Sequence, residues 1–445
     1  MSLPPGFRIA LDPGVRRYRA GTVLVGGTPL RAMRLSPAGV RAVDETSQAR
    51  FIHPSPAARA LAGRLVAAGL AAPIPGPDVP RPSVTVVIPT HDRPADLDRC
   101  LAALANQAVM VVDDGSTDPV AVAAVCAPHG ARLITRPVAG GPAAARNTAM
   151  AAVDTEVVAF LDDDCVPPPG WLEDLAAHFA DPAIGAVAPR IGGGLLDMGE
   201  RAGRVGPGLP IGYVPSAALL VRRAALTHLD EALRYGEDVD LVWRMCDAGW
   251  TVRYDPRVVV EHAEPADLRG RMARRFAYGT SAGALAQRHP GHLAPLRLAP
   301  VQAAAAALLV ADRPLAAGAL ALGAPLRRAR DLKATGLPPA AIAGLAISTT
   351  AQTLAGLGRA ACTVGAPALA AALVTGRGRR PAAILLGAHL AADWHAASTA
   401  GSLRAAGTRL AGDVAYGAGV WRGCLRARTV DPLIPRLVRR TPTSG

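Results

Sequence analysis

Three aspartates, Asp162, Asp163 and Asp164, stand side by side at the end of the apolar run "VVAFL" (157–161). Adjacent carboxylates repel, so they call for a cation, which is a metal ion, a neighbouring arginine or, failing both, water. Hard divalent ions such as Mg2+ and Mn2+ take one or two carboxylates and fill the rest of their shell with phosphate oxygens and water. The competing reading of any such cluster is a solvated turn. Other acids recur in similar settings. "PTHDR" (89–93) carries Asp92 and Arg93, and "VVDDGSTD" (111–118) carries Asp113 and Asp114. Those two are either an Asx-turn or acceptors for the N–H of a base and for ribose hydroxyls. "YGEDVDLVWR" carries Glu237 and Asp238 where a helix begins. Acids there complement the helix dipole or serve as a general base for a hydroxyl. His262 in "VVVEHAEP" is placed to complete a metal shell, although a lone histidine is more often structural. Asp240 and Arg244, at i and i+4, have the spacing of a surface pair.

The elements that must position these acids form a regular alternation. "SVTVVIPT", "AVMVVDD", "ARLITRP" and "TEVVAFL" read as strands, while "PADLDRCLAALANQ", "VAVAAVCAPHG" and the end of "GGPAAARNTAMAAV" read as helices. Strands alternating with helices predict an α/β fold with a mostly parallel sheet flanked by helices. In such sheets ligands bind beyond the carboxyl ends of the strands. The acid clusters fall at those ends.

The 445 residues suffice for two or three domains. Residues 1–72 read as a small hairpin-and-helix module: two strands meet around Gly26-Gly27, and Ser36 with Pro37 has the pattern of an N-cap and first helical residue. Residues 73–82 are proline-rich and read as a linker. Residues 83–296 hold the α/β domain, and 297–445 form an Ala-rich, apolar helical region. Its uncharged stretches at 298–311, 314–326, 334–358 and 360–376 are borderline for spanning a bilayer. Arg327, Arg328, Arg330, Arg377, Arg379 and Arg380 flank them, as expected near a cytoplasmic lipid face. The alternative is a soluble helical bundle.

The net charge is +13 and Lys333 is the only lysine. The arginines are dispersed, without an aromatic-interleaved basic stripe, so nucleic acid is not the expected partner. Phosphate-bearing ligands or an anionic membrane surface suit the charge better. Six separated cysteines without a C-x-x-C pair indicate reduced thiols in the cytosol. The N-terminal stretch lacks a long apolar core, so no signal peptide is expected. No G-x-G-x-x-G follows the first strand of the α/β domain, which disfavours a dinucleotide oxidoreductase.

Taken in order, "VVIPTHDR", "VVDDGSTD", "GGPAAARN", "FLDDDCVPPPGWL" and "YGEDVDLVWR" resemble the motifs of family 2 glycosyltransferases over roughly residues 83–290. The resemblance implies a GT-A (Rossmann-like) fold. It also implies inversion at the sugar, a nucleotide-diphosphate sugar donor and Mg2+ or Mn2+. By motif, Pro89, Thr90 and Asp92 would line the nucleotide pocket, Asp114 would contact the base, Arg146 and Asn147 would sit near the donor, and Arg93 and Asp113 would join the donor-binding set. Asp163 would face ribose, with Asp162 supporting the turn. Asp164 would bind the metal, with His262 a less secure ligand. Asp238 would be the general base, and Glu237 would orient it or the acceptor. A Q-x-x-R-W motif is absent, which argues against a long-chain synthase.

The whole arrangement resembles the glycosyltransferases of the mycofactocin system, which implies transfer of glucose from UDP-glucose to a peptide-derived redox cofactor. The N-terminal module is similar to winged-helix peptide-recognition modules, which implies contact with maturation proteins. The expected location is the cytoplasmic face of the cell membrane, integral or peripheral. Rival readings are a membrane-associated transferase with a lipid or polysaccharide acceptor, a non-enzymatic peptide carrier with a degenerate fold, and a nucleotidyltransferase.

Overall fold

The structure is a computed structural model that describes residues 2–27, 30–47, 55–192, 194–263, 267–327, 337–376, 378–396 and 403–438. The chain forms two compact units, Met1–Glu264 and Pro265–Gly445.

The first unit begins with strands β1 (Phe7–Leu11), β2 (Arg16–Tyr18), β3 (Val23–Gly26) and β4 (Arg31–Arg34). Helices α1 (Pro37–Ser47) and α2 (Pro56–Ala67) follow. The expected hairpin is present, since β3 pairs antiparallel with β4. Ser36 Oγ accepts the Gly39 N–H at 3.1 Å, which caps α1 as its sequence suggests. Residues 73–75, expected to open a proline-rich linker, instead belong to β5 (Ala71–Pro75), antiparallel to β1. Proline is tolerated in a two-stranded pair because each strand has an edge where a missing N–H costs no ladder bond. Val79, farther along that segment, is buried with Phe7, Leu24, Leu65 and Leu70. Much of the expected linker is therefore packed.

The α/β elements then run in order. They are β6 (Val84–Thr90), α3 (Pro94–Ala102), β7 (Val109–Asp114), α4 (Pro119–Cys126), β8 (Arg132–Arg136), α5 (Pro142–Met150) and β9 (Val157–Leu161). After them come β10 (Cys165–Val166), α6 (Trp171–Ala176), β11 (Ile184–Ile191), β12 (Gly203–Val205), β13 (Ala218–Arg222), α7 (Glu237–Asp247) and β14 (Thr251–His262). They build a nine-stranded sheet of order β10-β14-β11-β13-β9-β6-β7-β8, with β12 also on β14. Strands β6, β7, β8, β9, β11 and β14 run one way, and β10, β12 and β13 run the other.

The chain moves outward from β6 to β7 and β8, then returns to place β9 on the other side of β6. This reversal is a topological switch point, where a crevice opens at the carboxyl ends. The register shows the opening. β6 pairs with β9 only as far as Val87↔Phe160, whereas its pairing with β7 continues to Thr90↔Asp113. The walls are apolar: Val86, Ile88, Val111, Val157, Ala159 and Leu161 are buried with Leu97, Trp171 and Leu175 of the covering helices.

The second unit is helical: α8 (Leu268–Gly279), α9 (Ala282–Arg288), α10 (Pro300–Val310), α11 (Pro314–Arg327), α12 (Pro339–Cys362), α13 (Ala366–Thr375), α14 (Arg379–Ala396) and α15 (Leu403–Ala427). Two short strands, β15 (Arg297–Leu298) and β16 (Arg436–Leu437), pair in parallel. Small residues are required where α15 crosses α8 and α9. A Cβ on Gly283 would lie 2.1 Å from the Gly423 carbonyl oxygen, and one on Gly419 would lie 2.1 Å from that of Phe276. Backbones approach this closely only where no side chain intervenes.

Among the described residues α12 alone is long and apolar enough, by length and composition, to cross a bilayer. It has 24 residues, and an 18-residue window within it has a mean hydropathy of 1.3 and is 11% buried. At about 1.5 Å per residue it exceeds the roughly 30 Å hydrocarbon thickness. The other uncharged stretches form helices of 10 to 14 residues. Arg328, Arg330 and Arg377 lie outside the described residues.

Candidate active site

All the acids singled out by sequence lie in the first unit, at or near the carboxyl edge of its sheet. Thr90 ends β6 and donates its hydroxyl to Asp163 Oδ2 at 2.7 Å, which closes the crevice floor between β6 and β9. Pro89, beside it, is buried against β7. The three aspartates separate by partner. Asp162 Oδ1 accepts from Arg146 Nη2 at 2.6 Å. Asp163 meets Thr90 and lies 3.6 Å from Arg93 Nη1. Asp164 Oδ2 accepts from Arg93 Nη1 at 2.9 Å, and its Oδ1 lies 3.6 Å from His262 Nε2.

Burial pushes the Asp163 carboxyl up to about 7, partly opposed by the Thr90 hydrogen bond. Cys100 and Cys165 lie buried near these acids. Burial first, and the aspartate charges second, hold both thiols far above their ordinary range, so neither is a nucleophile.

His262 reaches Asp164 through sheet register. β10 pairs with β14 as Cys165↔His262, and the Ala263 N–H donates to the Asp164 carbonyl at 3.1 Å. At 3.6 Å the two side chains are too far apart for a good hydrogen bond. They are near enough to share one ion held at about 2.1 Å from each. A carboxylate oxygen with an imidazole nitrogen suits Mn2+, and the carboxylate suits Mg2+. The residues present fit a divalent ion.

Asp92 adopts φ 55°, the left-handed region, and its carboxylate accepts the Thr117 N–H and hydroxyl, both at 2.7 Å. In return the Asp92 N–H donates to Ser116 Oγ at 2.9 Å. Asp92 thus joins the loop after β6 to the loop after β7. Asp113 is fully buried, and its Oδ1 accepts the Ser116 N–H at 3.0 Å, the Asx-turn its sequence allowed.

Asp114 differs from the expectation of a group presented to a base. Both its oxygens accept from the Gly140 N–H at 3.1 Å, Oδ2 accepts from the Gly141 N–H at 2.6 Å, and Arg136 Nε lies 3.1 Å from Oδ1. It anchors the glycine loop before α5. A side chain at Gly115 would meet the backbone of Ala139 at 2.6 Å, so glycine is needed there.

Arg146 and Asn147, expected near the donor, are engaged by protein groups. Arg146 is 2% exposed and bridges Asp162 and Glu237, with Nη1 3.2 Å from Glu237 Oε1. Asn147 donates to the Leu229 carbonyl at 2.9 Å and to Glu231 at 2.8 Å, and accepts the Leu229 N–H at 2.9 Å. It clamps the segment that leads to α7. Arg244 braces the same segment, donating to the His228 carbonyl at 2.8 Å and to Asp240 at 2.8 Å. Asp240 is 3% exposed, so the pair is not a surface pair.

Glu237 and Asp238 occupy the first turn of α7, after Gly236 at φ 85°. Their charges suit the helix N-terminus. Burial pushes the Glu237 carboxyl up to about 7; the Asp238 charge adds to this and Arg146 opposes it. Burial likewise raises Asp238, against the hydrogen bonds it accepts from the Val239 N–H at 2.7 Å and the Ser216 N–H at 3.3 Å. Ser216 was not foreseen. It precedes β13, an antiparallel strand whose start lies beside the end of β9: Ala218 pairs with Leu161, and the Asp162 N–H donates to the Ala217 carbonyl at 2.9 Å. A lone serine in "VPSAALL" carries no local signal of this. Ser116, Thr117 and Gly140-Gly141 did carry one, as turn formers.

The arrangement thus offers two chemistries a short way apart on one edge. One is that of the acid cluster after β9, which faces His262 of β14 and could hold a cation. The other is that of a buried carboxylate pair on α7, which could accept a proton and is tied to the first through Arg146.

The chain is similar to several known proteins. The family model of Glycosyl transferase family 2 matches residues 85–203. A pre-mycofactocin glycosyltransferase of Mycobacterium tuberculosis is 36% identical over 98% of both chains. The validoxylamine A glucosyltransferase of Streptomyces hygroscopicus subsp. limoneus is 34% identical over 25% of this chain and 27% of its own. Among solved structures, a mannosyltransferase from Pyrobaculum calidifontis in complex with GDP-Man and Mn2+ is 22% identical with a TM-score of 0.40, covering 72% of this chain and 89% of that one. That overlap is too loose to carry site residues across. The motif order, the acids at the switch point and the full-length match with its mycobacterial relative place this chain in family 2 of the glycosyltransferases, as a member of the pre-mycofactocin glycosyltransferase family.

Proposed function

We propose that the enzyme transfers glucose from UDP-glucose, with inversion, to a hydroxyl of a peptide-derived redox cofactor of the mycofactocin type. The observation that carries the reading is the Asp238–Glu237 pair at the start of α7, linked by Arg146 to the aspartates at the crevice. Asp238 takes the proton of the acceptor hydroxyl. That oxygen forms a bond to the sugar C1 while the bond from C1 to the diphosphate oxygen breaks, its electron pair leaving on the diphosphate. Attack from the face opposite the leaving group inverts the centre. Asp164 and His262 would hold a divalent ion, Mg2+ or Mn2+, which would supply charge neutralisation for the diphosphate. Thr90, Asp92, Arg93 and Pro89 line the nucleotide side, and Asp163 faces ribose. Asp113 and Asp114 shape the base end through the loops they hold. Asp162, Arg146 and Asn147 act from behind by fixing the acids and the approach to α7. Glu237 orients the acceptor or the base.

The test is incubation with a panel of nucleotide sugars and Mn2+, with and without a mature peptide-derived acceptor. UDP release from UDP-glucose that depends on the acceptor is expected. Release of pyrophosphate would establish the nucleotidyltransferase chemistry instead, and transfer only to lipid or polysaccharide acceptors would replace the proposed acceptor.

The raised carboxyls set a pH dependence. A carboxyl whose pKa is raised keeps its proton to higher pH, so the base is lost on acidification. The two acids titrate as a pair. Turnover should therefore fall on acidification by about tenfold per pH unit, starting at a pH above the ordinary carboxylate range, and level off above that. A kcat profile flat down to pH 5 would contradict this.

We also propose contact with the membrane through the second unit, supported by the exposed apolar length of Pro339–Cys362. Cosedimentation with phosphatidylglycerol vesicles is expected, and full recovery in the supernatant would remove the proposal.

A further inference from the structure

Arg93 is built unlike a simple phosphate ligand. Its backbone is fixed from both sides: Asp92 is locked to Ser116 and Thr117, and Pro94 opens α3. Its side chain is long and 46% exposed, while the two acids it reaches, Asp163 and Asp164, are 8% and 9% exposed. The guanidinium therefore approaches buried carboxylates from the solvent side, at the end of a free arm on a fixed base. It engages Asp164 Oδ2, and the other oxygen of the same carboxylate faces His262. A divalent ion between Asp164 and His262 would sit within a few ångströms of this cation, and like charges at that range repel. The ion and the arginine cannot both keep their full hold on Asp164.

We propose that Arg93 is a tethered counter-cation, which holds Asp163 and Asp164 before a divalent ion arrives, competes with that ion, and is released to the donor's diphosphate once the ion binds. The inference rests on the assignment of the metal to Asp164 and His262. Guanidinium groups pair equally well with carboxylate and phosphate oxygens, so the same arm serves both partners. The consequence is coupling. The ion frees Arg93 for the diphosphate, and the diphosphate draws Arg93 away from the ion's site. Each ligand then strengthens the other, typically by about 5–150-fold.

The experiment measures Mn2+ binding by electron paramagnetic resonance or calorimetry on the full chain, without nucleotide, and UDP binding at saturating Mn2+. Arg93→Ala should bind Mn2+ alone about fivefold to tenfold more tightly, because a competitor is gone, and should bind UDP about tenfold more weakly. Effects of opposite sign are the signature, since general damage to the fold would weaken both. Arg93→Lys, which keeps the charge but not the fork, should fall between the two. Unchanged or weaker Mn2+ binding in Arg93→Ala would overturn the proposal, as would unchanged UDP affinity. Asp164→Asn separates the two layers of the argument. If it binds Mn2+ as the wild type does, the metal assignment itself fails. If it loses Mn2+ while Arg93→Ala shows no gain, only the role of Arg93 fails.

Discussion

Replacing Asp238 by Asn should lower kcat by about 10² to 10⁴ while leaving UDP binding nearly intact. The side chain keeps its size, and the amide oxygen can still accept from the Val239 N–H that Oδ1 holds at 2.7 Å. The capacity to take a proton is removed, together with the longer bond, 3.3 Å, that Oδ2 accepts from the Ser216 N–H. The loss should therefore appear in kcat and not in the donor KM, the pattern of an interaction made in the transition state. Single-turnover kinetics with UDP-glucose and acceptor, beside UDP titration by calorimetry, would show it. If UDP binding falls with turnover, Asp238 is holding the fold of the edge and the base lies elsewhere. Glu237→Gln provides the contrast. Glu237 receives Arg146 and is 8% exposed, so its loss should disturb the position of α7 as well as the rate.

Arg146→Ala should be the most destabilising single change at the site, by about 3–5 kcal/mol, because it strands Glu237 and Asp162 without their shared cation. Arg146 is 2% exposed and its guanidinium lies 5.8 Å from the centre of the Phe160 ring, so water does not readily replace it. Thermal unfolding of the variant would report the loss. The paired variant Arg146→Met with Glu237→Gln removes both sides of one buried pair and should recover part of it, since a neutral contact costs less than an unpaired buried charge. No recovery would mean that packing against Phe160, rather than charge, holds this point. Arg146→Lys tests geometry: one ammonium is poorly shaped to span two carboxylates on different elements.

Much of the site was legible because an apolar strand ending in acids can be read locally. The runs before Asp113, Asp162 and His262 are short, β-branched or apolar, and bounded by turn formers, so their carboxyl ends were marked. The pairing of Gly140-Gly141 with Asp114 was not marked, because it joins residues 26 and 27 positions apart across two elements. The same holds for Asn147, whose amide suits a donor site in composition but is taken up by Leu229 and Glu231. Proline density misread residues 73–75, since the rule against proline in strands weakens where a strand has a free edge.

The sequence by itself determined that three like charges would end a buried strand of an α/β sheet, and that a helix opening on Glu237-Asp238 would follow. It left open which cation answers the charges. Only the tertiary structure decided that: Asp162 takes Arg146 from α5, Asp163 takes Thr90 from β6, and Asp164 faces Arg93 on one side and His262 on the other. The reason is strand order. β6 and β9 are neighbours although 73 residues separate Thr90 from Asp163, and β14 reaches Asp164 only through its antiparallel pairing with β10. Charge at a strand end is a local property of the chain, but its partner depends on which strands the fold brings alongside.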